Sequence, residues 1–235
     1  MNKKKGIIIG VLAVALVMVV GYALFSDTLT INGTATAKGE FALSVTCDQG
    51  ITTELYETTL DFYGQVGSDA QNEIKQALDY AIENEGGYVN DTCSVNGNKV
   101  SFSASLNYPT ATRYFSIKVT NTGSIPFYLK STNLQNSSVE GTVIATDGTL
   151  YDANMLFTNV KENMVKEPEL MSADVVLDSN VEDISDIYIN TGESMYFISA
   201  IQFPDDTNLT NTKPFNSYDI TISETAELIF EQKAN

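Results

Sequence analysis

Along most of the chain, apolar and polar residues exchange places at every second position. Phe41, Leu43 and Val45 alternate with Glu40, Ser44 and Thr46, and Val100, Phe102, Ala104 and Leu106 alternate with Ser101, Ser103 and Ser105. Phe115, Ile117 and Val119 alternate with Ser116, Lys118 and Thr120. Ile125, Phe127 and Leu129 continue after a turn, and Tyr218, Ile220 and Ile222 alternate with Asp219, Thr221 and Ser223 near the end. A period of two gives each strand one face to bury and one to wet, which predicts an all-β fold of antiparallel sheets packed as a sandwich.

The turns agree with that pattern. Asn96-Gly97 stands between two β-rich runs, where such a pair supplies the positive φ angles of a two-residue hairpin. Thr120 to Pro126 (TNTGSIP) and Ile189 to Ser194 (INTGES) each place an NTG turn between strands and hint at related units, without a fixed-period repeat. One stretch departs from period two. Ile74, Ala77, Leu78, Ala81 and Ile82 fall at helical spacing, predicting an amphipathic helix over about residues 68–86. Ser68 with Gln71 suits a capping box at its start, and Gly86-Gly87 suits a left-handed stop. The helix belongs to an insert over about residues 48–92, read as a cover for one opening of the sandwich. Asp152 to Met171 mixes both spacings and predicts a strand or short helix, ended by Pro168, before an acidic connection.

At the N-terminus, Lys3, Lys4 and Lys5 precede Gly6 to Phe25, which holds no charged residue. This is the layout of an export leader, although the apolar length also suits a retained anchor. Gly21 and Ala23 occupy the −3 and −1 positions of a signal-peptidase cut between Ala23 and Leu24. The expected organisation is a signal peptide at 1–23 and one sandwich domain at 24–235. Directly after the cut, alternation begins again: Phe25, Leu29, Ile31, Ala35 and Ala37 share one parity, with Asp27 the exception among them.

Charge and composition narrow the chemistry. Thirty acidic residues against thirteen basic ones give a formal charge of −17, and removing the three leader lysines takes it to −20. Such a surface disfavours nucleic acid and anionic membranes, leaving membrane contact to an uncleaved leader. The chain has no histidine, which removes Ser-His-Asp and Cys-His catalysis, HExxH zinc sites and any imidazole base. It also lacks tryptophan and phosphate-binding glycine loops. A glycosidase-type carboxylate pair has no Trp sugar platform to accompany it, so no enzyme activity is expected. The one cofactor candidate is calcium at DSNVEDISD, where Asp178, Asn180, Glu182, Asp183 and Asp186 are spaced like oxygen ligands. That stretch lacks the turn glycine of an EF-hand loop and reads equally as a solvated acidic loop, as does Pro204 to Asn208.

Asn32, Asn90, Asn136 and Asn208 head N-x-[ST] sequons and mark surface loops. Cys47 and Cys93, the two cysteines, suit an oxidising compartment and could close one loop, worth about 4 kcal/mol by chain entropy. Two buried thiols are the alternative, and neither arrangement is a redox CxxC or a zinc knuckle.

A leader ending in GYALFSD, an alternating strand right after it, a middle FSIKVTNTGSIPFYL and a late INTGESMYFISAIQF together resemble the TasA and camelysin family. Its members are secreted surface and biofilm-matrix proteins of Gram-positive bacteria, processed by a dedicated type I signal peptidase. Phe25, Ser26 and Asp27 match the family's signature after the cut, with Ala23 before it. The resemblance covers residues 3–45, is patchy over 113–130 and 189–203, and stops at the helical insert and the cysteine pair. It implies a jelly-roll-like sandwich and extracellular fibres in which the freed first strand of one subunit enters the next. Phe25, Leu29 and Ile31 would then dock while Thr28 and Thr30 face outward. The same pattern also suits pairing of that strand within its own sandwich. The metalloprotease activity ascribed to some members is not expected without histidine. The expected function is thus a secreted structural protein that self-associates into surface or matrix fibres. The alternative is an anchored or shed adhesin-like binding module, calcium-dependent if the acidic loop binds the ion.

Overall fold

The computed structural model describes residues 40–85, 90–108, 111–157, 164–177, 187–203 and 215–232. Nine strands follow in order among the described residues: β1 Leu43–Gln49, β2 Thr92–Asn96, β3 Lys99–Leu106, β4 Thr112–Asn121, β5 Phe127–Ala145, β6 Leu150–Asp152, β7 Val165–Ala173, β8 Ser194–Gln202 and β9 Phe215–Gln232. The helices are α1 Thr53–Val66, α2 Ser68–Asn84 and the single turn α3 Ala153–Leu156. The strands form two antiparallel sheets, β1-β4-β8-β7 and β2-β3-β9-β5-β6, stacked as the expected sandwich.

Strand parity places the core. Phe102, Ala104 and Leu106 of β3, Phe115, Ile117 and Val119 of β4, and Ile220, Ile222, Ala226 and Leu228 of β9 all face the space between the sheets and are buried. At about 25 cal/mol per Å² of apolar surface, each large side chain of this row contributes about 1.5–3 kcal/mol. Phe102 stacks on Phe115 across the sheets with ring centroids 5.3 Å apart.

The insert between β1 and β2 differs from expectation in two ways. It holds two helices, and they cover a sheet face instead of an opening. Leu55 of α1 and Leu78 of α2 are buried against Tyr196 of β8, with Met171 and Ile198 packed around them. Because α1 covers β8 from outside while the core covers it from within, β8 is buried on both faces. Thr52 caps α1 and ties it to β4: its side chain accepts from Leu55 N–H at 3.3 Å, and its own N–H donates to Ser116 Oγ at 3.1 Å. The capping box expected at Ser68 is absent. Only Gly67 separates the helices and stands at the N-cap of α2, so Gln71 turns back and donates to the Leu60 carbonyl at 2.9 Å.

Two further expectations are corrected. The β2–β3 loop is Gly97-Asn98, flanked by the pair Asn96 and Lys99, so Asn96 lies in the strand. Gly97 has φ +65° and Asn98 a negative φ, as a type II′ turn requires. Pro168 ends nothing: it sits inside β7, an edge strand, at a register break between Lys166 and Glu169 where no ladder N–H is needed.

The two NTG turns meet at one end of the sandwich. Buried Asn121 donates from Nδ2 to the carbonyls of Ile125 and Ile189, each at 2.9 Å, and accepts from Gly123 N–H at 2.9 Å. Its backbone takes Gly192 N–H at 2.8 Å and gives its own N–H to the Glu193 carbonyl at 3.0 Å. The segment leading into β1 arrives at this corner, where the carbonyls of Glu40 and Ala42 accept from Ser124, Thr122 and Gly123.

Gly141 of β5 has φ +117°, and a Cβ there would overlap the Asp219 carbonyl of β9. Gly141→Ala is therefore expected to cost about 1–3 kcal/mol through strain alone, read as a lower denaturation midpoint with an unchanged slope.

Candidate functional site

Cleavage residues Ala23 and Leu24, docking residues Phe25, Leu29 and Ile31, and calcium candidates Asp178, Asn180, Glu182, Asp183 and Asp186 lie outside the described residues. Cys47 and Cys93 lie within them and form a disulfide, with Cα atoms 5.8 Å apart. β1 and β2 are edge strands of different sheets, so the bond clips the two sheets together along one side.

The remaining edges determine what the sandwich can add. β7 is broken by two register shifts and carries Pro168 between charged Glu167 and Glu169, features that discourage pairing. β6 is only three residues long and pairs only with Thr142, Val143 and Ile144 of β5. At the other end of β5, Phe127 bridges to Ile189. Between these points, Tyr128 to Gly141 has β9 on one side and, among the described residues, no strand on the other. At about 3.3 Å per residue this is on the order of 45 Å of strand edge, interrupted by shifts at Leu129/Ser131 and Gln135/Ser138. The second shift surrounds Glu224, which stands on the core-facing parity of β9 and is buried. Its Oε1 accepts from Thr225 N–H at 3.1 Å, and burial pushes its carboxyl above the ordinary range.

A cleft of about 410 Å³ opens between α1 and the end of β7. Phe62, Ala173, Val175 and Val176 form its apolar part, and Asp61, Asp174 and Glu193 its acidic part. Gln65 holds one wall as a strand would, donating to the Val175 carbonyl at 3.1 Å and accepting from Leu177 N–H at 2.8 Å. Behind it, Tyr196 Oη donates to Asp174 at 3.1 Å, Lys118 pairs with Glu54, and Lys118 Nζ lies 5.5 Å from the centre of the Tyr196 ring.

A buried ion pair between the sheets went unread in the sequence. Arg113 Nε lies 3.2 Å from Asp91 Oδ2, with side-chain exposures of 4% and 0%. Arg113 stands two residues before Phe115 on the inward parity of β4, so the alternation carried the signal once the strand is extended backward. Asp91 Oδ1 accepts from Ser105 N–H at 2.8 Å, joining sheet to sheet through one ion pair. Glu85 beside them accepts from Tyr114 N–H at 2.9 Å. Burial pushes Glu85 up to about 7, with the Tyr114 amide and Arg113 opposing, and burial likewise raises Asp91.

Glu85, Asp91 and Glu224 share one sign. Each binds its proton more tightly folded than unfolded, so its stabilising contribution is complete below the ordinary carboxylate range and is lost as pH rises, through about 7 for Glu85. The melting temperature is expected to be higher at pH 5 than at pH 8. Scanning calorimetry across that range checks the direction, in high salt to screen the −17 surface.

Among the described residues no group of three or more His, Cys, Asp or Glu is placed to hold a metal ion, and no helix is long and apolar enough to cross a membrane. Comparison with protein-family models, curated proteins and solved structures found no match.

Proposed function

We propose that the chain is an exported structural sandwich that joins copies of itself by strand addition, the role its resemblance to the TasA and camelysin family implies. The observation that carries this reading is the edge of β5 from Tyr128 to Gly141, unpaired among the described residues. Backbone N–H and C=O groups along such an edge accept an added strand, and alternate side chains of that strand fill the inner face. The alternating stretch 25–37 has the required pattern, and cleavage after Ala23 would free its end.

The test is N-terminal sequencing of protein recovered from the medium and the cell envelope of its host, followed by electron microscopy of the processed form. A start at Leu24 and concentration-dependent filaments are expected. Processed protein that stays monomeric at high concentration over several pH values would sink the reading. The acidic cleft favours a second reading, an anchored or shed binding module. An N-terminus found intact only in membranes, with a melting temperature raised by calcium and lowered by chelator, is its expected signature.

A further inference from the structure

The cleft between α1 and the end of β7 is divided in its chemistry. Phe62 and Ala173 are buried beneath it, Val176 stands 90% exposed beside it, and Asp61, Asp174 and Glu193 bring three carboxylates. Asp174 accepts from Tyr196 Oη at 3.1 Å, and Glu193 Oε2 accepts from the backbone and side-chain amides of Asn190 at 2.8 and 3.0 Å. Among the described residues no lysine or arginine pairs with any of the three. Lys75, Lys118 and Lys130 pair elsewhere, Lys99 donates to Gln135, and Lys166 stands at the opposite end of β7.

An apolar floor beside an acidic wall suits a lysine side chain, whose methylene stem covers apolar surface while its ammonium meets carboxylates. The fold brings one within reach. Glu193 directly precedes β8, and its carbonyl accepts from Asn121 N–H at 3.0 Å. The turn after Asn121 holds the entering chain: Ser124 N–H donates to the Glu40 carbonyl at 2.8 Å, and Glu40 N–H donates back to Ser124 Oγ at 2.9 Å. A Cβ on Gly123 would lie 2.2 Å from the Glu40 carbonyl, so a side chain there would push the entering chain away. Glu40 is thereby fixed at the same end of sheet β1-β4-β8-β7 as Glu193. From β1 to β8 is two strand spacings, about 10 Å. Lys38 stands two residues ahead of Glu40, about 7 Å of extended chain, and its four-carbon stem covers the rest. Between Leu24 and Gly39 it is the one basic residue.

We propose that this cleft is the seat of Lys38 of the same chain. Its stem lies over Ala173 and Val176, and its ammonium stands among Asp61, Asp174 and Glu193. The chain ahead of Glu40 is thus drawn across the ends of β4 and β8 to the α1 side of the sandwich. The seat fixes the side from which residues 24–37 leave the body, whichever sandwich they then join, so it does not rest on the fibre reading. Lys38 of a second copy is the competing occupant.

Zero-length carbodiimide coupling of the full chain, in an equal mixture of heavy-isotope-labelled and unlabelled protein, tests this by peptide mass mapping. Lys38 is expected to be joined to Asp61, Asp174 or Glu193, with both halves of each joined peptide carrying the same label. Limited trypsin digestion gives a second readout. Cutting after Lys38 is expected to quicken by about threefold or more in Asp61→Asn/Asp174→Asn, while cutting after Lys75 stays slow and reports an intact helical hairpin. The coupling is read on the unaltered chain and does not depend on how the variant folds. Joined peptides of mixed label, links from Lys38 that avoid the three carboxylates, or equal cutting after Lys38 in the two proteins while Lys75 stays protected overturn the seat.

Discussion

Replacing Arg113 with methionine is expected to cost about 3–5 kcal/mol, because Asp91 is left as a charge buried between the sheets with no cation. In a chain of this size that is a fall of about 6–20 °C in melting temperature. Fully buried ion pairs are costly to form and far more costly to halve, and here both side chains are almost wholly shielded from water. The double variant Asp91→Asn/Arg113→Met is expected to recover at least half of the loss. Asparagine keeps the oxygen that accepts from Ser105 N–H, and no lone charge remains. The loss in the single variant is also expected to shrink at pH 5, where Asp91, already inclined by burial to hold a proton, can neutralise itself. Thermal unfolding of the three variants at two pH values reads all of this. A single-variant loss below about 1 kcal/mol would mean that water reaches Asp91 and that the pair behaves as a surface pair.

Opening the Cys47–Cys93 bridge is expected to cost about 4 kcal/mol on the chain-entropy account. The bond closes a loop with a sequence separation of 46 that contains the whole helical hairpin. Its removal also separates β1 from β2, the two edges it clips, which no backbone ladder joins. Denaturant titrations of the protein with and without reductant, and of the variant carrying alanine at both positions, give the difference in midpoint. Identical midpoints with and without reductant would show that packing of the inner faces alone holds that side closed. Hydrogen exchange is expected to rise first in β1 and β2, and later in β9, which lies inside its sheet between β3 and β5.

The inner rows of β3, β4 and β9 were legible because parity is a local property: neighbours two apart in sequence share a face wherever the strand goes. α1 escaped notice for an equally local reason. Its sequence TELYETTLDFYGQV is rich in Thr, Tyr and Phe, residues that favour strands, and its inward positions include Thr59, which meets Ser172 at 3.1 Å. The course of β5 beyond Leu129 was obscured by register shifts at Leu129/Ser131 and Gln135/Ser138, which break the alternation that a regular strand would display. Glu224 and Arg113 broke it as well, by putting charge on inward positions that only a distant partner or a bulged neighbour can make tolerable.

By itself, then, the sequence determined the class of fold, the inward faces of its central strands, the presence of a helical element, and the absence of histidine chemistry. Each of these follows from composition or from a period of two or about four residues. Tertiary structure alone decided that the helices cover the outer face of one sheet, that the cysteines meet across two edges, and that, among the described residues, Tyr128 to Gly141 forms an edge bounded by Ile189 and β6. It also decided that Glu85 lies beside the buried pair Asp91 and Arg113. The physical reason is range: burial, pairing and charge compensation depend on which remote segments are brought within a few ångströms, and no local pattern encodes that.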